Sequence, residues 1–279
     1  MPMPIYVNQL QVQAFNFPGG ECQVGLVYSE IGNKTEIFAE LNSSDDIMCL
    51  LLAVDAVRRI DPTTQISLTI PYFPYARQDR VCNPGEALSV KVMAELINGL
   101  HCQQVVIFDP HSDVTPALLN HCHAVSLAQL VTGSLLGSKI QQEDWVLIAP
   151  DAGAEKKVRE LAKRLSTENH RVELACARKV RNTLTGQIIS SELQADVQGK
   201  RLIIIDDICD GGQTFIELAK VLQAQGAKEI QLYVSHGIFS QGLGVLKPYF
   251  TAIYCYHTHL KQSQIEPEFL TVLGAPANH

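Results

Sequence analysis

Apolar and polar positions along the chain alternate between two patterns, one typical of buried strands and one of amphipathic helices. The run 201–205 is almost wholly apolar, as in a parallel strand covered on both faces. Beyond it, Phe215, Leu218 and Leu222 recur at helical spacing, and Gly226 predicts the end of that helix. The same order of strand, polar loop and helix recurs elsewhere, and we predict strands at 65–72, 104–108, 145–149, 171–177 and 229–235 and helices at 88–100 and 155–165.

This alternation indicates the fold class. Strands that alternate with helices predict α/β architecture, in which a mainly parallel sheet carries helices on both faces. A chain of 279 residues is long enough for two ordinary domains, each with its own core. The segment 124–139 is the best candidate for a boundary, so we expect two similar α/β domains, residues 1–135 and 136–279.

Polar side chains gather where the predicted strands end. Asp206 and Asp207 follow the run 201–205, and the loop 210–214, Asp-Gly-Gly-Gln-Thr, leads into the next helix. Open α/β sheets bind ligands at the carboxyl ends of their strands, and the free N–H groups of a helix start suit a phosphate. Carboxylates repel phosphate, so this pair suits a sugar diol or a magnesium ion, and the segment predicts a ribose-phosphate site. The alternative is a solvated strand end followed by a helix N-cap at Asp210.

Composition narrows the class of protein. A net charge of −7 argues against a nucleic-acid or membrane surface, because both partners require a cationic face. Eight cysteines without a Cys-x-x-Cys pair are typical of a reducing compartment, and we find neither a signal pattern nor a membrane-length apolar run. We therefore expect a cytoplasmic protein. The trios 121–123 and 257–259, which contain His, are each too short to bind zinc alone.

Six short segments carry a resemblance to a known family. They are Pro71-Tyr-Phe-Pro-Tyr-Ala-Arg-Gln-Asp-Arg80, Asp109-Pro-His-Ser-Asp113, Pro150-Asp-Ala-Gly153, Lys179-Val-Arg181, Asp206-Asp-Ile-Cys-Asp210 and Ser235-His-Gly-Ile-Phe-Ser240. In this order they resemble the ribose-phosphate pyrophosphokinases, also called phosphoribosyl pyrophosphate synthetases. The resemblance covers about residues 17–240.

The resemblance implies two phosphoribosyltransferase-type domains that transfer the β,γ-pyrophosphoryl group of ATP to the anomeric hydroxyl of ribose 5-phosphate. Phosphoryl transfer needs cations around the transferring group and in-line positioning more than covalent chemistry. Lys179 and Arg181 resemble the family's catalytic Lys-x-Arg, which we expect on a flexible loop. His111 and Asp151 resemble its Mg²⁺-site residues, with His111 also catalytic, although His at a strand end is ordinarily only a hydrogen-bonding residue.

The resemblance also implies the substrate contacts and an assembly. ATP-binding residues would be Phe17, Glu21, Arg77, Gln78 and Asp79. Asp206 and Asp207 would hold the ribose hydroxyls, and the 5-phosphate would lie among Asp210, Gly211, Gly212, Gln213 and Thr214. The family assembles into dimers and larger rings, so a homo-oligomer, dimer-based and up to a hexamer, is expected.

Two departures from the family pattern bear on the substrates. The segment that contacts adenine, Phe-x-Asp-Gly-Glu in the family, has Gly19 in place of Asp, which removes a hydrogen bond to adenine. The phosphate loop, usually Asp-Thr-Gly-Gly-Thr, loses a hydroxyl at Gly211 and gains an amide at Gln213. An alternative acceptor is therefore a ribose with a substituted 5-phosphate, such as ADP-ribose, which would connect the chain with NAD salvage.

Two further classes of function compete with the pyrophosphokinase. A phosphoribosyltransferase would carry a similar Asp-Asp loop, but it needs no ATP site, so Arg77, Arg80 and His111 argue against it. A non-catalytic regulatory paralogue would bind enzyme subunits, but Lys179 and Arg181 are retained.

Overall fold

The computed structural model describes residues 5–27, 29, 31–181, 188–193 and 195–274, with the backbone alone for 178–181 and 188–193. The fold divides into two compact units, unit 1 ending at Val125 and unit 2 beginning at Ser126. Among the helices of these described ranges, none is both long and apolar enough to cross a membrane.

Unit 1 is an α/β unit with a separate hairpin. Its strands are β1 (Ile5–Val7), β2 (Leu10–Gln11), β3 (Gln13–Asn16), β4 (Cys22–Gly25), β5 (Lys34–Ala39), β6 (Gln65–Ile70), β7 (Gln104–Phe108) and β8 (Cys122–Val125), and its helices are α1 (Ser44–Ile60), α2 (Ser89–Asn98) and α3 (Val114–Leu118). One sheet has the order β2-β1-β5-β6-β7-β8, and β3 pairs with β4 in the hairpin. Strands β5 to β8 are parallel, whereas β1 runs antiparallel to its neighbours.

Helix α1, which we did not predict, has clear local causes. The Ser43 hydroxyl accepts a hydrogen bond from the backbone N–H of Asp46 at 3.2 Å and so caps the helix, and acidic residues occupy its first turn. Its buried face recurs at helical spacing and packs into the core of unit 1 through Cys49, Leu50, Ala53, Val54 and Val57.

Unit 2 is a larger unit of the same kind. Its helices are α4 (Leu127–Thr132), α5 (Leu135–Gln142), α6 (Ala152–Leu165) and α7 (Gln213–Ala224), and its strands are β9 (Trp145–Ala149), β10 (Glu173–Arg181), β11 (Ile188–Leu193), β12 (Arg201–Cys209), β13 (Glu229–Gly237), β14 (Ala252–Thr258) and β15 (Leu270–Val272). The sheet order is β11-β10-β9-β12-β13-β14-β15. Only the β10–β11 pairing among these described strands is antiparallel.

Strand β12 borders two separate hydrophobic cores. Leu202 and Ile204 pack with α7 on one side of the sheet, and Ile203 and Ile205 pack with α6 on the other. Successive side chains of a strand point to opposite faces, so an unbroken apolar run requires a cover on both. The α/β fold with helices on both faces of a mainly parallel sheet is thus confirmed for unit 2.

The boundary between the units lies earlier than the expected division between residues 135 and 136. Leu127, Val131 and Leu136 pack in one core with Trp145 and Val158. The short helices α4 and α5 therefore belong to unit 2, because their apolar faces are buried against its first strand and against α6.

Strand β12 is longer than its apolar run predicts. We expected the strand to stop at the two carboxylates, but it continues through Asp206 and Asp207 to Cys209. The cause is strand β13, which is long enough to pair with this extension: Asp206 lies beside Val234, and Cys209 lies beside Gly237.

Candidate active site

Three carboxylates approach one another at the carboxyl ends of two neighbouring strands in unit 2. Strands β9 and β12 are parallel and paired from Trp145–Arg201 to Ile148–Ile204, so Asp151 and Asp206 follow at the same edge of the sheet. Burial and then the charges of Asp207 and Asp151 raise the pKa of Asp206 well above its usual value. Ionisation of Asp206 at this edge of the sheet is therefore disfavoured unless a cation or a ligand offsets the negative charge.

Lys157 is the cation beside this group. Its Nζ lies 3.9 Å from Asp207 Oδ2, and both side chains are mostly buried. The backbone N–H of Asp207 donates to Asp206 Oδ1 at 2.9 Å, which fixes the first carboxylate against the second residue. Sequence reasoning missed Lys157 because it lies on a helix rich in Lys, Arg and Glu, where a solvated face is the ordinary interpretation. Its position six residues after Asp151 was the available signal.

Asp151 has a structural task in addition to the proposed metal role. It is the N-cap of α6, and its Oδ1 accepts from the backbone N–H groups of Gly153 at 3.0 Å and Ala154 at 3.1 Å. A capping carboxylate is held in one orientation and stabilises the helix start. The same bonds therefore fix this carboxylate at the edge of the sheet.

The loop after β12 turns sharply at one glycine. Gly212 has φ of +83° and precedes the first residue of α7, with no side-chain cap found there in the described part of the chain. A Cβ atom on Gly212 would lie 2.8 Å from Leu246 Cδ2, so both the backbone conformation and the neighbour favour glycine. Without a side-chain cap from any described residue, the first N–H groups of α7 at this turn form the kind of helix start that binds anions.

The side chains of this loop differ in their availability. Gln213 Nε2 donates to Glu217 Oε1 at 2.8 Å, one turn further along α7, and Lys220 Nζ contacts the same oxygen at 2.9 Å. The amide that sequence reasoning assigned to the phosphate is thus engaged along the helix surface. Thr214 is exposed, and Asp210 is half-buried, with its carbonyl accepting from the backbone of the segment after β13.

Lys179 and Arg181 lie on strand β10, not on the flexible loop that we expected. Lys179 pairs with Ser191 and Arg181 with Ile188 of β11, and a register shift falls between Val180 and Arg181. The antiparallel partner extends the strand beyond the predicted 171–177. The side chains of both cations lie outside the described part of the chain.

In unit 1 two of the sequence motifs meet at Asp79. Its side chain is nearly buried and pairs with Arg80, whose Nε lies 3.1 Å from Asp79 Oδ1. Burial opposes its ionisation, but the Ser112 hydroxyl, the Arg80 guanidinium and the charge of His111 together hold the pKa of Asp79 below its usual value. Asp79 thus connects the loop after β6 to the loop after β7.

The other predicted nucleotide residues of unit 1 are accessible. Arg77 and Gln78 are exposed on the loop after β6, and His111 is half-buried after β7. Phe17 and Glu21 close the tip of the β3–β4 hairpin, where the Phe17 N–H donates to the Glu21 carbonyl at 2.8 Å. About half of the Phe17 side chain is exposed (48%), and its ring lies edge-on to that of Phe15, with centroids 5.1 Å apart.

The two metal-binding residues expected from the sequence belong to different units. His111 belongs to unit 1 and Asp151 to unit 2, and no cluster of three or more His, Cys, Asp or Glu able to hold a metal is found within the described ranges. The donor chemistry of Asp151 nevertheless fits magnesium, because its carboxylate presents hard oxygen atoms at the edge of the sheet. Magnesium is commonly bound by one or two carboxylates together with substrate phosphates and water.

Two family models match the chain. Residues 4–100 match the N-terminal domain of ribose phosphate pyrophosphokinase, and residues 126–258 match the phosphoribosyl transferase domain. A ribose-phosphate pyrophosphokinase of Thermococcus kodakarensis is 31% identical over 236 residues, which cover 84% of this chain and 80% of that protein. The chain belongs to the ribose-phosphate pyrophosphokinase family.

The similarity to this family extends to structure. A crystal structure of phosphoribosylpyrophosphate synthetase from Mycobacterium smegmatis matches with a TM-score of 0.77 and 25% identity, covering 94% of this chain and 85% of that one. The ribose-phosphate pyrophosphokinase of Granulibacter bethesdensis is 32% identical over 208 residues, which span 72% of this chain and 62% of that protein. The phosphoribosyltransferase-type architecture expected from the sequence is therefore confirmed.

Proposed function

We propose that the protein is an ATP-dependent ribose-phosphate pyrophosphokinase, which transfers the β,γ-pyrophosphoryl group of ATP to the anomeric hydroxyl of ribose 5-phosphate. The products are phosphoribosyl pyrophosphate, used in nucleotide biosynthesis, and AMP. The observation that carries the proposal is the edge of unit 2, where a carboxylate pair on β12 precedes a glycine turn and the start of a helix. The relatives reported above are named for ribose phosphate, so ADP-ribose and NAD salvage are not favoured.

The edge of unit 2 suits ribose 5-phosphate in two places. The 5-phosphate binds at the first N–H groups of α7, beyond Gly212 and beside Thr214, where the helix dipole favours an anion. Asp206 and Asp207 accept hydrogen bonds from the ribose hydroxyls. Carboxylates are good acceptors for hydroxyl groups, whereas they repel phosphate groups. Lys157 Nζ lies 3.9 Å from Asp207 Oδ2 and orients that carboxylate.

The loops of unit 1 suit ATP. Arg77 contacts phosphate oxygens, because a guanidinium group can donate two parallel hydrogen bonds to a phosphate. Gln78 contacts a base edge. Phe17 stacks on the adenine ring, and Glu21 fixes the hairpin tip that carries it. Asp79 positions the loop after β6 by its contacts with Arg80 and Ser112.

The reaction requires positive charge around the transferring group. The anomeric hydroxyl attacks the β-phosphorus of ATP in line with the departing AMP oxygen, and charge accumulates on the bridging and non-bridging oxygens. Lys179 and Arg181 neutralise that charge, and His111 is the further catalytic residue, next to the nucleotide loop. A magnesium ion, when bound through Asp151 and the substrate phosphates, supplies further charge neutralisation and orientation.

The proposed activity has a direct test. The purified chain, incubated with Mg-ATP and ribose 5-phosphate, should release AMP and phosphoribosyl pyrophosphate in equal amounts, measured by chromatography and mass spectrometry. Omitting ribose 5-phosphate is the control for simple ATP hydrolysis, and AMP should then be absent. Excess EDTA should abolish AMP formation, because side chains alone do not offset the charge of the transferred group. No AMP under the complete conditions would contradict the function, and full activity in EDTA would contradict the metal role.

The hairpin tip offers a second test, directed at ATP. Replacing Gly19 with aspartate should lower the KM for ATP about three- to ten-fold, the scale of one hydrogen bond to the base. The substitution is sterically free, because nothing lies within 4 Å of a Cβ built on Gly19. Gly32→Asp is the matched control, since it is also in unit 1 and also has open space. An unchanged KM for ATP would show that the hairpin tip does not contact adenine.

We propose a dimer-based homo-oligomer, up to a hexamer, because unit 1 exposes several large apolar side chains, namely Leu10, Phe15, Val27 and Met48.

We also propose a cytoplasmic location, where the eight cysteines, none of them in a disulfide, stay reduced.

A further inference from the structure

Two side chains fill the space beside the glycine that replaces the loop hydroxyl. A Cβ atom built on Gly211 would lie 3.6 Å from Gln241 Cγ and 3.9 Å from Ser240 Oγ. These are ordinary contact distances, and the backbone of Gly211 is outside the left-handed region. A hydroxyl carried by residue 211 and the hydroxyl of Ser240 would therefore occupy neighbouring positions.

The segment that carries Ser240 is fastened to the phosphate loop. The Ser240 N–H donates to the Asp210 carbonyl at 3.2 Å, and the Phe239 N–H donates to the Cys209 carbonyl at 3.1 Å. A Cβ atom built on Gly237 would lie 2.1 Å from Cε2 of Phe239. The Phe239 ring therefore packs directly on the backbone of Gly237, and this close packing holds the segment in place. Ser240 is thus held at a fixed distance from the loop.

The Ser240 hydroxyl is available to a ligand. Its residue is exposed, and its Oγ makes no hydrogen bond with any residue that the structure describes. Gln213, the polar residue that distinguishes this loop from the family pattern, donates its amide to Glu217. Of the two groups that could replace the missing hydroxyl at 211, Ser240 is therefore the one in position.

We propose that Ser240 donates its hydroxyl to the 5-phosphate of the acceptor sugar, in the place that a hydroxyl at residue 211 would take. This inference rests on the proposed function, because it assigns a further binding residue to the same phosphate site. Residues 211 and 240 are then alternative sources of one hydrogen bond, and a chain with a hydroxyl at either position retains the contact.

A double-mutant cycle tests the substitution of one hydroxyl for the other. Ser240→Ala should weaken binding of ribose 5-phosphate about three- to ten-fold, measured as KM and by calorimetry without ATP. In a Gly211→Thr background the same change should cost less than about two-fold, because the threonine hydroxyl takes over the contact. Ser138→Ala on α5 is the matched control, since Ser138 is also an exposed serine of unit 2, and it should leave binding unchanged.

The outcomes separate this inference from the proposed activity. If Ser240→Ala binds ribose 5-phosphate as tightly as the unaltered chain, the inference is overturned even when turnover is normal. An equal loss in both backgrounds also overturns it, because Ser240 would then act independently of residue 211. If the chain forms no AMP but binds ribose 5-phosphate with the expected coupling, the proposed activity fails and the phosphate contact stands. If the unaltered chain does not bind ribose 5-phosphate, both fail.

Discussion

Replacing Lys179 with alanine should lower kcat by about a hundred-fold or more and leave the affinity for ATP nearly unchanged. A cation that acts on charge present mainly in the transition state contributes to turnover and little to substrate binding. Measurement of kcat and KM for both substrates, together with ATP affinity by equilibrium binding, separates the two contributions. Arg181 should behave similarly, because it lies two residues along the same strand and we propose that it neutralises the same charge.

A matched control distinguishes this effect from a general change of charge. Lys163→Ala removes an exposed cation from the last turn of α6, a different element from the strand that carries the proposed catalytic pair, and should leave kcat unchanged. Near-normal turnover in Lys179→Ala would remove this residue from the mechanism. A loss confined to KM for ATP would instead indicate an ordinary binding contact.

Replacing Asp206 with asparagine should lower activity about ten-fold or more and at the same time stabilise the protein without ligand. Activity falls because the ribose hydroxyls lose a charged acceptor, which by itself costs about ten-fold or more. Stability rises because burial and the charges of Asp207 and Asp151 disfavour ionised Asp206 in the folded state. An increase in Tm of at least about 2 °C at pH 7 corresponds to roughly 1 kcal/mol in a domain of this size.

The pH dependence of this gain has a definite sign. The pKa of Asp206 is raised on folding, so below its ordinary unfolded value both states are protonated and the substitution brings no gain. As the pH rises through the folded pKa, the original protein loses stability relative to Asp206→Asn. Thermal scans from pH 4 to pH 8 should therefore show a widening difference in Tm. Asp144→Asn, an exposed carboxyl of unit 2, should show none, and a difference that narrows with pH would contradict the buried-charge explanation.

Contiguous features of the site could be predicted from the sequence. The strand, the carboxylate pair and the glycine turn follow one another within fifteen residues, and the apolar runs predicted β7 and β9 with the bounds that the structure has. Apolar residues at helical spacing, namely Phe215, Leu218 and Leu222, also predict the helix that begins after the turn. Each of these depends on neighbours along the chain, which a single sequence displays.

Contacts between distant segments could not be predicted in this way. Lys157 reaches Asp207 across fifty residues, and only the packing of α6 on the sheet brings them together. Strand β12 runs past its carboxylates because β13 is long enough to pair with it, a property of the partner. The contact of the Gln213 amide with Glu217 was not predicted, although Glu217 lies four residues further along the chain, a spacing that favours contact along a helix.

The three successive residues of the phosphate loop have very different freedom to diverge during evolution. At Gly212 the positive φ and the nearby Leu246 methyl group disfavour any larger residue, so substitution at this position is costly. Gly211 faces ordinary contact distances, and Gln213 is exposed and satisfied by its own helix. Lineages can therefore exchange residues 211 and 213 without rebuilding the turn, and this chain departs from the family pattern at those two positions.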